Sequence, residues 1–166
     1  FLKESVNALN SGRTGPAEAN SMIGELQGSQ NNFTIVKGNT NKFDYNPAQR
    51  IAAYANQLRT DPALAPSLAV TPAAAMQGGA GGTITWNPSG ASVFVLGGGQ
   101  NNSPTTNLMH ELFHGRDANR GLLDSRNHLG IERDEWQASY KENIVRQQMG
   151  LPLREFYRVQ DAAGII

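Results

Sequence analysis

The first part of the chain carries short hydrophobic patterns that predict two helices followed by two strands. Residues 2–9 and 16–26 place apolar side chains at roughly helical spacing, and a glycine follows soon after the second run. Residues 33–36 and 42–45 are rich in β-branched and aromatic side chains, with a Gly-Asn pair between them. Because glycine and asparagine favour tight turns, the two runs are predicted to pair as a hairpin.

The middle of the chain is rich in proline, alanine and glycine. A helix is predicted over residues 47–58, where a proline suits the first turn, and residues 60–72 are predicted to form an irregular connection. Two further strand-like runs, 83–86 and 92–96, flank an Asn-Pro-Ser-Gly turn at 87–90. The glycines here lack the Lys-Ser/Thr pair or the helix start of a phosphate-binding loop, so we interpret this region as a flexible hairpin edge.

The last third of the chain is predicted to be mainly helical. Ser103 and Pro104 form a helix start, because a serine side chain can cap the first turn and proline needs no hydrogen-bond acceptor there. This helix should reach about residue 118, and a second should run from about residue 134 to residue 150. The pattern predicts a single α+β domain over residues 1–166, in which a small, mainly antiparallel sheet packs on the helices.

Composition and charge narrow the possible functions. The 166 residues include 14 Lys and Arg against 14 Asp and Glu, and zero net charge argues against a nucleic-acid or membrane partner. No apolar run approaches the ~20 residues that a membrane helix needs. Because there is no cysteine, any metal must be bound by His, Asp or Glu. The chain opens at Phe1 without a signal sequence, and we expect it to be a processed segment of a longer protein.

The strongest chemical signal is the sequence H-E-L-F-H at residues 110–114, inside a predicted helix. Side chains four positions apart lie on one helix face, so His110 and His114 can converge on one Zn²⁺ ion. Glu111 is then placed to act as general base towards an attacking water molecule. In a chain with three histidines this motif rarely arises by chance, and we therefore predict a zinc site.

A catalytic zinc site needs a third protein ligand, and the helical pattern favours Glu135. Glu135 shares one face of the second predicted helix with Ala138, Glu142, Val145 and Met149, and the apolar members mark that face as buried. Carboxylates on a buried face are costly unless a cation compensates them. The alternative is a solvated Glu135 at a frayed helix start. Other candidate ligands downstream are Asp117, Asp124, His128, Glu132, Asp134 and Glu142.

Glu142, Asp117 and His128 can each have a role other than binding the metal. Glu142 is too far along the helix to share a metal with Glu135; it either orients a ligand histidine or pairs a buried arginine, or it forms a plain salt bridge with Arg146. Asp117 either orients an imidazole or is an exposed charge. His128 is expected to be a surface histidine.

Arg154 and Tyr157 follow the second helix at a spacing of three residues. An arginine or a phenol aimed at the developing oxyanion would stabilise the transition state of peptide hydrolysis. On spacing alone, ordinary packing of the tail is the better interpretation of this pair.

The H-E-L-F-H sequence, followed by E-x-x-A-x-x-x-E-N-x-x-R at 135–146 and G-L-P-L-R-x-x-Y at 150–157, resembles the NleD-like effector metallopeptidases. The T-I-T-W-N-P strand at 83–88 and the Ser-Pro helix start are also similar to that family. The resemblance covers about residues 82–157, and related HExxH domains occur in bacterial polymorphic and Rhs-type toxins. The R-x-x-Y element is similar to one that clostridial neurotoxin proteases place at the scissile carbonyl, which implies catalytic roles for Arg154 and Tyr157.

The resemblance implies a zincin-like zinc endopeptidase, secreted as a toxin or effector and delivered into a target cell to cut an intracellular protein. A cognate immunity protein is a further partner to expect. Two alternatives are a zinc hydrolase of another amide, such as peptidoglycan, and a binding module that keeps zinc as a structural element. Glu111 argues against the second, because a purely structural site has no use for a general base.

Overall fold

A computed structural model describes residues 1–46 and 79–155, together with the backbone of residues 160–161 and 164–165. The helix predicted at 47–58 and the connection at 60–72 lie outside the described residues. Within them the chain forms an α+β fold, as predicted, with helices packed on a small sheet. No helix in the described part is both long and apolar enough to cross a membrane.

Four helices occur among the described residues, and their positions follow the predicted pattern. They are α1 Leu2–Thr14, α2 Ala17–Gln27, α3 Pro104–Asn119 and α4 Arg133–Gln148. The Ser103 hydroxyl accepts a hydrogen bond from the backbone N–H of Thr106 at 3.3 Å, which is the predicted cap of α3. Helix α1 runs five residues past its predicted end, and the buried Gly12 in this extension leaves room for the side chains of Ile23 of α2 and Met109 of α3.

The main sheet has three strands, β1 Phe33–Lys37, β2 Lys42–Tyr45 and β3 Gly82–Trp86, in the order β1-β3-β2. The predicted hairpin between β1 and β2 is wrong, because β3 lies between them, parallel to β1 and antiparallel to β2. The sheet is therefore mixed rather than mainly antiparallel. Ile84 and Trp86 of β3 are almost completely buried. Strands β1 and β2 cover the two edges of this central strand.

The predicted hairpin between residues 83–86 and 92–96 is wrong, because these two runs do not pair with each other. The turn at 87–90 forms, since the N–H of Gly90 donates to the carbonyl of Asn87 at 2.9 Å. It leads, however, into a separate antiparallel pair, β4 Ser92–Phe94 with β5 Gln100–Asn102. The three glycines at 97–99 all have positive φ, which a tight reversal needs and which other residues rarely adopt.

The remaining described strands are short antiparallel pairs. Strands β6 Asn127–His128 and β7 Ile131–Glu132 form a hairpin that leads directly into α4. Strands β8 Gln160–Asp161 and β9 Gly164–Ile165 pair near the end of the chain.

Helix α3 is the centre of the fold, and every residue from Thr106 to Ala118 is buried. It packs against α1, α2, α4 and the three-stranded sheet, so both its apolar and its polar faces are covered. On α4, the face predicted to be buried is confirmed at Ala138, Glu142 and Val145, none of which is exposed. The small Ala138 side chain allows α4 to approach α3 closely. The central core comprises Ala8, Ala19, Met22, Ile23, Ile84, Trp86, Leu108, Met109, Leu112, Phe113, Ala138 and Val145.

Trp86 joins the sheet to the start of α3, because its indole N–H donates to the carbonyl of Pro104 at 3.0 Å. Trp86→Phe removes this hydrogen bond and leaves a small cavity, so we expect it to lower the free energy of unfolding by about 2–4 kcal/mol. Trp136→Phe is the matched control: this ring is only half-buried, and we expect a loss below about 1 kcal/mol. Urea unfolding in the presence of a chelator measures the free energy of unfolding of both variants. Equal losses would contradict the role of Trp86 in joining the sheet to α3.

Candidate metal centre and cleft

Three potential ligand atoms meet where the middle of α3 faces the start of α4. The Nε2 atoms of His110 and His114 are 3.3 Å apart. The Glu135 carboxylate lies 3.2 Å from Nε2 of His110 and 3.4 Å from Nε2 of His114. Metal–ligand bonds of ~2.0–2.1 Å at tetrahedral angles separate ligand atoms by about 3.3–3.4 Å, so these residues fit Zn²⁺. The three residues predicted to bind metal are thus brought together as one candidate group.

The fold explains why these side chains converge. One helical turn stacks the two imidazoles on the same face of α3, with their rings edge-on at 5.0 Å between centroids. The first turn of α4 brings Glu135 to the same point, where 37% of its side chain is exposed. The alternative of a solvated Glu135 at a frayed helix start fits less well, because Glu135 lies in the first turn of α4 and contacts both histidines.

The charges around His110 favour a cation. Burial lowers the pKa of His110, but hydrogen bonds to Glu135 and Glu142 outweigh burial and raise this pKa to about 9. Burial also raises the pKa of Glu142, yet the hydrogen bond to His110 and the charges of Arg154 and Arg146 lower it to about 2. Two carboxylates therefore flank this imidazole, and a field that holds a proton there also favours a divalent metal ion.

Glu142 contacts His110 on the side of the imidazole that faces away from His114 and Glu135. Its Oε2 lies 3.1 Å from Nδ1 of His110, and the carboxylate is completely buried. Arg146 donates to Oε1 and Arg154 donates to Oε2, each at 2.7 Å. Both interpretations of Glu142 therefore describe real contacts, since it orients a histidine and also pairs Arg146 at i+4.

The other downstream candidates lie away from the three ligand atoms. Asp117 is buried and accepts two hydrogen bonds from Lys141, at 2.7 and 2.8 Å, so it is neither an imidazole partner nor an exposed charge. His128 is exposed on β6, as expected. Asp124 pairs with Arg126 at 2.6 Å, and this ion pair lowers the pKa of Asp124 to about 2. Asp134 comes no closer than 4.0 Å to Nδ1 of His114.

Glu111, the predicted general base, is held in an unusual environment. Its side chain is only 6% exposed and makes no hydrogen bond with any described residue. Burial raises the pKa of its carboxyl group, while the charges of His110 and His114 oppose the shift. A carboxylate with a raised pKa and free oxygens is suited to accepting a proton.

Two cavities open beside this carboxylate and share Asn41, Glu111 and Glu135 in their walls. The larger, of about 260 Å³, extends towards β2 and β7. The smaller, of about 190 Å³, extends towards β4 and includes Arg154. Together they form one cleft that runs past the three candidate ligands.

Arg154 is fixed at the rim of the cleft by its own backbone. Asn143 of α4 accepts from the N–H of Arg154 at 2.6 Å and donates to its carbonyl oxygen at 2.9 Å. Val95 and Arg154 form an antiparallel bridge beyond the end of β4. The guanidinium then reaches both Glu142 and, at 3.2 Å, Nδ1 of His110. Tyr157 lies outside the described residues.

Sequence reasoning missed two residues that shape this site. Asn143 was visible as the asparagine of the E-N pair, but its role in fixing Arg154 depends on a contact across the fold. Asn41 lines both cavities and accepts from the N–H of Asn87 at 2.8 Å. No local pattern distinguishes Asn41 from any other loop asparagine.

Two histidines of one helix and a glutamate of the next, beside a buried carboxylate in a cleft, are typical of metal-dependent hydrolases. The family Peptidase_M91, described as "Effector protein", matches residues 1–157. The chain therefore belongs to this peptidase family of effector proteins, which confirms the NleD-like resemblance. The match also covers the residues before Gly82, which the resemblance left unassigned. No curated protein and no solved structure matches the chain significantly.

Glu135→Ala should weaken zinc binding by at least ~100-fold, because it removes one of three candidate ligands. It should also abolish the rise in melting temperature that zinc gives the wild type, since metal binding is coupled to the folded state. Competition with a chromophoric chelator measures the affinity. Glu132→Ala, three residues earlier, is the matched control and should bind zinc nearly as the wild type does; the opposite ranking would refute the assignment of Glu135.

Proposed function

We propose that the protein is a zinc-dependent endopeptidase, delivered as an effector or toxin into a target cell, where it cuts an intracellular protein. The observation that carries the proposal is the meeting of potential ligand atoms of His110, His114 and Glu135 within 3.4 Å of one another, beside Glu111, which has no hydrogen-bond partner among the described residues. Membership of a peptidase family of effector proteins supports it independently.

In this proposal His110, His114 and Glu135 hold the zinc ion. When bound there, zinc polarises the scissile carbonyl and lowers the pKa of a water molecule. Glu142 accepts the Nδ1 proton of His110, which leaves Nε2 of the same ring free to bind the metal.

Glu111 acts as general base and then as general acid. Its carboxylate takes the proton of the attacking water and returns it to the leaving amine as the peptide bond breaks. The lack of any hydrogen bond to described residues supports this role, because no partner in that part of the chain competes for the proton. The cleft beside Glu111 also favours a catalytic centre over a structural zinc site, which is closed on all sides.

Arg154 and Tyr157 are proposed to stabilise the oxyanion that develops on the scissile carbonyl. Arg154 lines the smaller cavity, and its ion pair with Glu142 holds the guanidinium in place. The role of Tyr157 rests on the R-x-x-Y pattern alone.

The proposed partners follow from the family. A protein of the target cell is the substrate, and the producing cell would need an immunity protein that blocks the cleft. Because the net charge is zero, neither nucleic acid nor an anionic membrane is an expected partner.

Glu111→Ala tests the proposed reaction. We expect cleavage to fall by ~10²–10⁴-fold or more, since general-base action contributes at least that much. Zinc content and melting temperature should stay close to those of the wild type, because Glu111 is not a ligand. The measurement compares both proteins on an extract of target-cell proteins by mass spectrometry of new chain ends. Undiminished cleavage by the mutant would end the peptidase proposal.

Tyr157→Phe removes one oxygen and keeps the ring. If the phenol meets only the developing oxyanion, kcat should fall by about 10–10³-fold with little change in KM or zinc content. Kinetics on one cleavable peptide measures this effect. Tyr140→Phe is the matched control, because Tyr140 is 62% exposed on α4, and full activity is expected. Full activity of Tyr157→Phe as well would assign Tyr157 to ordinary packing.

A further inference from the structure

The two arms of the cleft differ in charge. We call the larger cavity the acidic arm, because Glu132 and Asp134 line it in addition to Glu111 and Glu135. The smaller cavity has the basic Arg154 in its wall besides Glu111 and Glu135, and the uncharged Ala91, Val93 and Asn107 in place of Glu132 and Asp134. A substrate lying across Glu111 would therefore meet different surroundings on the two sides of its scissile bond.

The proposed reaction leaves two carboxylates of the acidic arm without a task. Among the described residues, no lysine or arginine lies within ion-pair distance of Glu132 or Asp134. Lys42, in the same wall, pairs with Asp44 at 2.8 Å. Arg133 points to Asp124, with 3.7 Å between the charged atoms. Among the described residues, Glu132 and Asp134 therefore have no lysine or arginine as an ion-pair partner, although Lys42 lies in the same wall.

Stabilisation of the α4 N-terminus is the ordinary reason for acidic residues here. Asp134 does accept from the N–H of Glu135 at 2.9 Å, through one oxygen only. Glu132, at the N-cap position, makes no capping hydrogen bond. Helix capping therefore does not engage Glu132.

The environment of Glu111 is a second reason to expect a ligand in the cleft. Glu111 is more than nine-tenths buried, has no hydrogen-bond partner among the described residues, and lines this cavity. A buried carboxylate without a partner is costly unless a bound molecule completes its contacts. Because Glu111 lines both cavities, a substrate that reaches Glu111 can extend from it into the acidic arm.

We propose that the acidic arm binds a lysine or arginine side chain of the substrate, so that cleavage is directed to peptide bonds with a basic residue on that side. Glu132 and Asp134 pair with the cationic head, and Tyr45 and Leu123 in the same wall contact its aliphatic stem. This inference rests on the proposed peptidase function, because it assigns the substrate class of that site.

Binding measurements test this selectivity without turnover. Zinc-loaded Glu111→Gln protein is titrated with three pools of fluorescent decapeptides, each with a central Lys, Glu or Gln among uncharged residues. We expect the Lys pool to bind about three- to tenfold more tightly than the Glu pool, and the difference to shrink in 1 M salt. Adding Glu132→Lys should reverse the ranking. Adding Glu4→Lys, the same charge change on α1 outside both cavities, should leave it unchanged.

Cleavage by the wild-type protein is measured on a peptide library in parallel. We expect lysine and arginine to be enriched on one side of the cleaved bonds, and Glu132→Lys to lose this enrichment. If the wild type cuts nothing, the peptidase proposal fails, while the binding ranking still decides the selectivity. Equal binding of the Lys and Glu pools, or a ranking that Glu132→Lys leaves unchanged, would overturn the inference.

Discussion

The completely buried carboxylate of Glu142 is the constraint on which the site depends. A buried charge costs several kcal/mol unless it is paired and hydrogen-bonded. Here Arg146 and Arg154 donate to its two oxygens, and His110 faces it at 3.1 Å. These contacts connect α3, α4 and the segment after α4. Arg146 also donates to Asn101 of β5 at 3.0 Å, which extends the network to the second strand pair.

The same network orients a residue of the candidate metal site. Because Glu142 occupies Nδ1 of His110, the opposite nitrogen of the ring is directed towards His114 and Glu135. His110 and the two arginines lower the pKa of Glu142, and an ionised carboxylate at Nδ1 would make His110 a stronger ligand in the proposed site. Glu111, the next residue along α3, escapes these pairings and faces the cleft. One buried ion network thus contacts the candidate ligand His110, whereas Glu111, the proposed general base, lies outside it.

Much of the site could be predicted from local sequence, whereas the sheet could not. The spacing of His110 and His114, and the buried face shared by Glu135, Ala138 and Glu142, follow from helical geometry alone. Strand order depends on long-range pairing, in which Phe33 lies opposite Gly82, and no local pattern encodes that register. The Gly-Asn pair indicated a reversal correctly, but the strand that fills the space between its arms comes from much later in the chain.

The central claim is that His110, His114 and Glu135 bind one zinc ion. X-ray absorption at the zinc edge, recorded on wild-type protein loaded with zinc and dialysed, tests it directly. The account predicts one zinc per chain, with two imidazole nitrogens and carboxylate oxygen at ~2.0–2.1 Å. Substoichiometric zinc, or a spectrum without the multiple-scattering features of two imidazoles, would contradict it.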